Sequence, residues 1–244
     1  MTESTALHPH SPTPRELLPP APGACFGRDP LIENLVGFAA NLESIALIGP
    51  GGIGKTSIAL TALNHYRIKN RFGHNRWFIR CDRFPASCAE FLAQLSKVIG
   101  AGVENPEGLV SLRPFLSSQE MIIILDNVEP ILDPQGTNVQ DIYTVMDELC
   151  QLETICLFVV SCTTTVPQHC KRLMVPKLSR KAACDIFYSI YNDCERSDLI
   201  GGLLQRLDFN PLSIKLLATT ASQNTWDHHQ LVCRRLKGAE GIRD

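Results

Sequence analysis

Gly49-Pro50-Gly51-Gly52-Ile53-Gly54-Lys55-Thr56 stands between two stretches of different character. Before it runs Ser44-Ile45-Ala46-Leu47-Ile48, apolar and strand-sized; after it, Ser57-Ile58-Ala59-Leu60-Thr61-Ala62-Leu63 has the composition and length of a helix. A glycine-rich turn ending in Lys-Thr between strand and helix is the phosphate-binding loop pattern in its proper context. Glycines let the backbone curl so that successive N–H groups point at phosphate oxygens, and the following helix adds the positive end of its dipole. The cradle is therefore assigned to Gly49, Gly51, Gly52, Ile53 and Gly54, with Ser57 in the first helical turn. Lys55 reaches the β and γ phosphates as a point charge, and the Thr56 hydroxyl is an oxygen ligand for the Mg²⁺ that accompanies a nucleoside triphosphate.

Further along, Met121-Ile122-Ile123-Ile124-Leu125-Asp126 carries the same argument. Consecutive large apolar residues suit a strand covered on both faces, and an Asp at its carboxyl end lies where open parallel sheets bind ligands. This matches the Walker B pattern, with Asp126 holding the magnesium ion through water, opposite Thr56. An apolar run ending in Asp is weak evidence alone; its pairing with the upstream loop gives it weight.

Composition bounds the rest. A chain of 244 residues holds one large α/β domain, or such a domain plus a small helical partner. Even the longest apolar runs, such as 122–125 or 156–160, are strand-sized, and no signal-peptide core is visible, which argues against a membrane span and for the cytoplasm. A net charge of −2 and a pI near 6.4 argue against a dedicated nucleic-acid surface. Arg67, Lys69, Arg71, His74 and Arg76 are read as a solvated connection rather than a polyanion site. The ten cysteines show no metal-binding spacing; Cys25, Cys81, Cys156 and Cys162, in or beside apolar stretches, are read as small buried hydrophobes and reduced thiols.

In chain order, residues 1–22 are proline-rich and poor in large apolar groups, so a disordered lead-in is expected. An amphipathic helix follows, with Pro30 in its first turn. A second strand covers 76–81, and Ser87 caps a helix that stops near Gly100. A short or bent helix holds Pro114; another helix covers 138–152, and a fourth strand covers 155–160. The run Ser161-Cys162-Thr163-Thr164-Thr165 either places a hydroxyl near a γ-phosphate or is simply loop hydroxyls. A short fifth strand is expected over 173–178, then helices only, the last over 226–236. The change of character near Lys177 divides a nucleotide-binding domain, 23–178, from a helical subdomain, 179–244.

Four motifs now carry a family resemblance: Phe26-Gly27-Arg28-Asp29, the phosphate loop, Ile124-Leu125-Asp126-Asn127-Val128-Glu129, and Phe209-Asn210-Pro211-Leu212-Ser213-Ile214. The chain resembles the nucleotide-binding core of NB-ARC proteins, a branch of the STAND class of P-loop ATPases, most closely the fungal form. The last motif is similar to the family's Gly-Leu-Pro-Leu, with Phe-Asn in place of Gly-Leu. The resemblance implies an α/β fold, a P-loop NTPase with a five-stranded parallel sheet flanked by helices and followed by a small helical subdomain. It puts the Thr163-bearing strand between the phosphate-loop strand and the Asp126 strand. It further implies that Pro211 packs against adenine, that Gly27 and Arg28 line the other side of the base, and that Thr163 lies near the phosphates. Function follows from the same resemblance: ADP holds a resting form, ATP opens it, a homo-oligomer and protein signalling partners are engaged, as in innate-immunity-like switches, and slow hydrolysis resets the state.

Three departures bear on this. Residues 162–165 lack the family's sensor arginine, and the second acidic position is Asn127, which leaves Glu129 as the residue to polarise water. The winged-helix subdomain, with its ADP-contacting histidine, and the sensing repeats would follow the helical bundle, and the sequence stops before them. Weak ATPase activity at most is expected. An ordinary ATP-consuming enzyme and a catalytically dead P-loop scaffold stand as the alternatives. ATP is favoured over GTP because no Asn-Lys-x-Asp tetrapeptide occurs.

Overall fold

The computed structural model describes residues 18–83, 87–132, 139–191, 198–226 and 230. Most of the expected lead-in over 1–22, and all but the first and fifth residues of the expected helix over 226–236, lie outside them.

The chain alternates helix and strand as α1 (Asp29–Ala40), β1 (Ile45–Ile48), α2 (Lys55–Leu63), α3 (Tyr66–Phe72), β2 (Arg76–Arg80), α4 (Cys88–Ile99), α5 (Leu109–Leu116), β3 (Met121–Asp126), α6 (Val139–Cys150), β4 (Ile155–Ser161) and β5 (Lys171–Met174). Three helices follow, α7 (Arg180–Ile190), α8 (Asp198–Arg206) and α9 (Pro211–Gln223). The strands form a parallel sheet in the order β2-β3-β4-β1-β5. β4 thus separates β1 from β3, the order the resemblance implies.

Burial explains the order. Every residue of β1, β3 and β4 is buried, as a central strand with helices on both faces requires. Successive side chains point to opposite faces. Ile122, Ile124 and Phe158 pack with Leu35, Ile58 and Ile68 of α1, α2 and α3. Ile123, Leu125 and Val159 pack with Phe91, Leu112 and Met146 of α4, α5 and α6. Leu178, Phe187, Leu204 and Ile214 head a third cluster, built from α7, α8 and α9.

Two expectations are corrected. The fifth strand begins at Lys171 and ends at Met174, earlier than the apolar pattern suggested. It pairs with β1 from Ile45↔Lys171 to Ile48↔Met174, and its exposed Lys171 and Arg172 are what a sheet edge tolerates. Arg67, Lys69 and Arg71 of the basic stretch lie in a helix rather than a connection, while His74 sits in the turn after it and Arg76 opens β2. Ile68 and Phe72 of α3, four residues apart, are buried, while Arg71 pairs with both Glu120 oxygens at 2.8 and 3.1 Å. Elsewhere the local signals hold: Ser87 Oγ caps α4 by accepting from Glu90 N, and Gly100 ends that helix at φ +74°.

Candidate functional site

The carboxyl ends of β1, β3 and β4 converge on the phosphate loop. Gly52 and Gly54 take φ of +75° and +101°, a region open to glycine at little cost. Among the described residues no side chain caps α2, so its first N–H groups are left for an external acceptor. Lys55 is 8% exposed and folds back over the loop, where Nζ donates to Gly49 O (2.7 Å), Pro50 O (3.1 Å) and Cys162 Sγ (3.0 Å).

Thr56 Oγ1 donates to Asp126 Oδ1 at 2.8 Å, which brings together the two residues predicted to serve one cation. Burial holds the Asp126 carboxyl above its ordinary pKa, against the opposing pull of the Thr56 hydrogen bond, Arg80 and Lys55. A hydroxyl and a carboxylate side by side are hard oxygen donors that fit Mg²⁺, and a buried carboxylate gains from a neighbouring cation.

Beyond β3, Asn127 adopts φ +59°, a conformation Asn tolerates, and a single helical turn over Glu129–Ile131 follows. Glu129 Oε1 accepts from Ser161 Oγ at 3.1 Å and from Cys162 N. Its Oε2 is buried and has no hydrogen-bond partner among the described residues. Thr163 joins the same network: its N–H donates to Ser161 Oγ at 3.0 Å, and the two hydroxyls lie 3.2 Å apart. The strand-end hydroxyls are therefore bonded to one another and to Glu129. Cys162 corrects the sequence reading, since it is exposed and accepts from Lys55, whereas Cys81 and Cys156 are buried as expected.

Arg28 is 5% exposed, and its guanidinium donates to Ile53 O (3.1 Å) and Pro176 O (2.7 Å). Desolvation lowers its pKa from the usual arginine value. Arg28 ties the phosphate loop to the segment that leaves β5. With Phe26 and Pro211 it lines a mainly apolar cleft beside the loop. Gly27 instead packs on α7: at φ +65°, an added Cβ would lie 2.7 Å from Ala182 Cβ.

The start of α9 touches the loop directly. Asn210 Nδ2 donates to Gly51 O at 3.0 Å, Leu212 N donates to Gly52 O at 3.2 Å, and Asn210 Oδ1 caps the helix by accepting from Leu212 N and Ser213 N. The sequence reading gave Asn210 no role, although Asn before Pro at a helix start is a capping signal. Lys215, also unassigned, faces a second cleft of about 240 Å³ with Lys55, Thr56, Ser57 and Pro211. No local pattern marks it.

No family model matches the sequence, and no curated protein matches it. Solved structures do. A Walker-type ATPase of Pyrococcus abyssi is similar at TM-score 0.60 and 14% identity, over 93% of this chain and 76% of its own. Drosophila ORC bound to DNA is similar at 0.61 and 12%, over 95% and 68%. The replication initiator DnaA bound to AMPPCP and single-stranded DNA is similar at 0.56 and 15%, over 85% and 63%. The chain thus spans under two thirds of the DnaA structure. At such identities the likeness defines the fold: the chain is a P-loop NTPase in architecture. Among the described residues no helix is long and apolar enough to cross a membrane.

Proposed function

We propose that this chain is a conformational switch of the NB-ARC kind, binding ATP or ADP with Mg²⁺ and hydrolysing ATP slowly or not at all. One observation carries the reading: Asn210 and Leu212, at the start of α9, hydrogen-bond to the carbonyls of Gly51 and Gly52. Whatever reshapes the phosphate loop is felt at once by the helical part. Each nucleotide then stabilises the arrangement it contacts better, which is how a ligand biases a two-state molecule. On this reading 23–178 and 179–244 are the two units that shift, and ATP-driven homo-oligomerisation and protein signalling partners in the cytoplasm are the output.

The residues take the roles their chemistry suits. The loop backbone and Lys55 hold the β and γ phosphates, and Thr56 and Asp126 would hold Mg²⁺, which neutralises phosphate charge when bound. Pro211, Phe26 and Arg28 wall the base cleft, and Gly27 lets that wall approach α7. Glu129 orients water, with Ser161 and Thr163 fixing it. The ORC structure holds DNA, and the DnaA structure holds single-stranded DNA. For this chain the net charge of −2 favours nucleotide and protein partners over nucleic acid.

The test is to denature freshly purified protein and identify any released nucleotide by chromatography, beside Lys55→Ala. Near-stoichiometric ADP that is lost in the mutant is the expected result. No released nucleotide, with no Mg-ATP or Mg-ADP binding by calorimetry, would establish a scaffold instead. Turnover above about 1 s⁻¹ would establish an ordinary enzyme.

A further inference from the structure

Two clefts meet beside the phosphate loop. One is largely apolar, with Phe26, Ile53, Leu178 and Ile186 in its wall. The other contains Gly52, Lys55 and Thr56. Gly54, Ser57, Pro211 and Lys215 line both, so these four mark the junction. A nucleotide with its base in the first cleft and its β and γ phosphates at Lys55 and Thr56 must pass its ribose and α-phosphate through that junction.

Lys215 is the cation that the helical part brings there. It is exposed and forms no hydrogen bond or ion pair among the described residues. The other cations lining the two clefts are engaged: Lys55 on loop carbonyls and Arg28 on Ile53 O and Pro176 O. Lys215 lies four residues after Pro211, hence on the same face of α9, and the start of that helix is pinned to the loop by Asn210 and Leu212. An ammonium so placed and without a partner is suited to an anionic oxygen at the junction.

We infer that Lys215 binds the α-phosphate, a group that a nucleoside diphosphate and a triphosphate share. This rests on the reading of the clefts as a nucleotide site, and it adds a division of labour. Lys215 sets affinity and holds the helical part down. Discrimination between ADP and ATP is left to groups that see the γ-phosphate, at Lys55, Thr56 and the Glu129 network.

The experiment is calorimetric titration of the full chain with Mg-ATP and Mg-ADP, for wild type, Lys215→Met and Lys215→Arg. In Lys215→Met both affinities should fall about tenfold, with their ratio held within about twofold, while Lys215→Arg stays near wild type. Unchanged affinities overturn the assignment, and so does a loss confined to ATP, which would make Lys215 a γ-phosphate contact. If wild type binds neither nucleotide, the nucleotide reading falls and this one with it. If wild type binds and Lys215→Met binds equally well, this one falls alone.

Discussion

Thr56 Oγ1 lies 2.8 Å from Asp126 Oδ1, across 70 residues of sequence, joining the first turn of α2 to the end of β3. In this pair the hydroxyl donates its proton to a carboxylate that burial disfavours in its charged form. The folded protein therefore keeps the Asp126 proton to higher pH than the unfolded chain does. The sign follows: folded-state pKa is raised, so the carboxyl's contribution to stability declines as pH rises from the ordinary aspartate range through the folded value. At neutral pH the ionised group is a burden on the nucleotide-free protein. Asp126→Asn keeps an acceptor for Thr56 and removes the charge. Its Tm without nucleotide should rise, each ~1 kcal/mol recovered appearing as about 2–4 °C. Magnesium-dependent nucleotide affinity should fall in the same variant. Scanning calorimetry with and without Mg-ATP reads both, and a Tm lowered in the absence of nucleotide would refute the charge argument.

Gly52 and Gly54 separate backbone strain from contact. Both have positive φ, so alanine at either costs about 1–2 kcal/mol. Among the described residues an added Cβ at Gly54 meets nothing within 4 Å, whereas at Gly52 it lies 2.8 Å from Leu212 Cβ and 2.9 Å from Asn210 Oδ1. Gly52→Ala should therefore push α9 off the loop as well. Its Tm should drop further than that of Gly54→Ala, and trypsin should cut faster at Lys177. Equal sensitivity of the two variants would show that α9 does not rest on the loop.

The phosphate loop and β3 were readable because their signals are local. Glycines at fixed offsets encode backbone conformation, and an unbroken apolar run encodes a strand buried on both faces. β5 was displaced because an edge strand needs no such run, and Lys171 and Arg172 look like loop residues. α3 was missed because only Ile68 and Phe72 mark its buried face among basic neighbours. The contacts of Glu129 with Ser161, of Lys55 with Cys162 and of Asn210 with Gly51 depend on strand order and on how α9 folds back. No sequence spacing carries that information.

Asn210 performs two tasks that one substitution can divide. Its Oδ1 caps α9 and its Nδ2 holds Gly51 O. Asn210→Ala loses both and should cost about 0.5–2 kcal/mol. Asn210→Asp keeps the cap and loses the donor, while adding negative charge at the rim of the phosphate cleft. Its Tm should stay within about 2 °C of wild type while triphosphate affinity falls about tenfold. Titration with a fluorescent ATP analogue beside thermal melts distinguishes these outcomes, and an Asp variant with unchanged affinity would exclude coupling through Gly51.

Glu129 is anchored by one oxygen only. Oε1 accepts from Ser161 Oγ and Cys162 N, while Oε2 is buried without a partner among the described residues. A carboxylate fixed at one oxygen and unsatisfied at the other is arranged to take a proton from a water held against it. Glu129→Gln preserves the Oε1 acceptor and replaces the free oxygen by a donor, so the protein should fold and bind Mg-ATP within about twofold of wild type. Its residual hydrolysis should fall about 10²-fold, the lower end of what a positioned base contributes. Glu129→Ala also strips the acceptor from Cys162 N and Ser161 Oγ, and should lose about 1–3 kcal/mol of stability besides. Single-turnover phosphate release at saturating ATP provides the measurement. A rate unchanged in Glu129→Gln, with binding intact, would assign water activation to another group and leave Glu129 as the brace between β3 and β4.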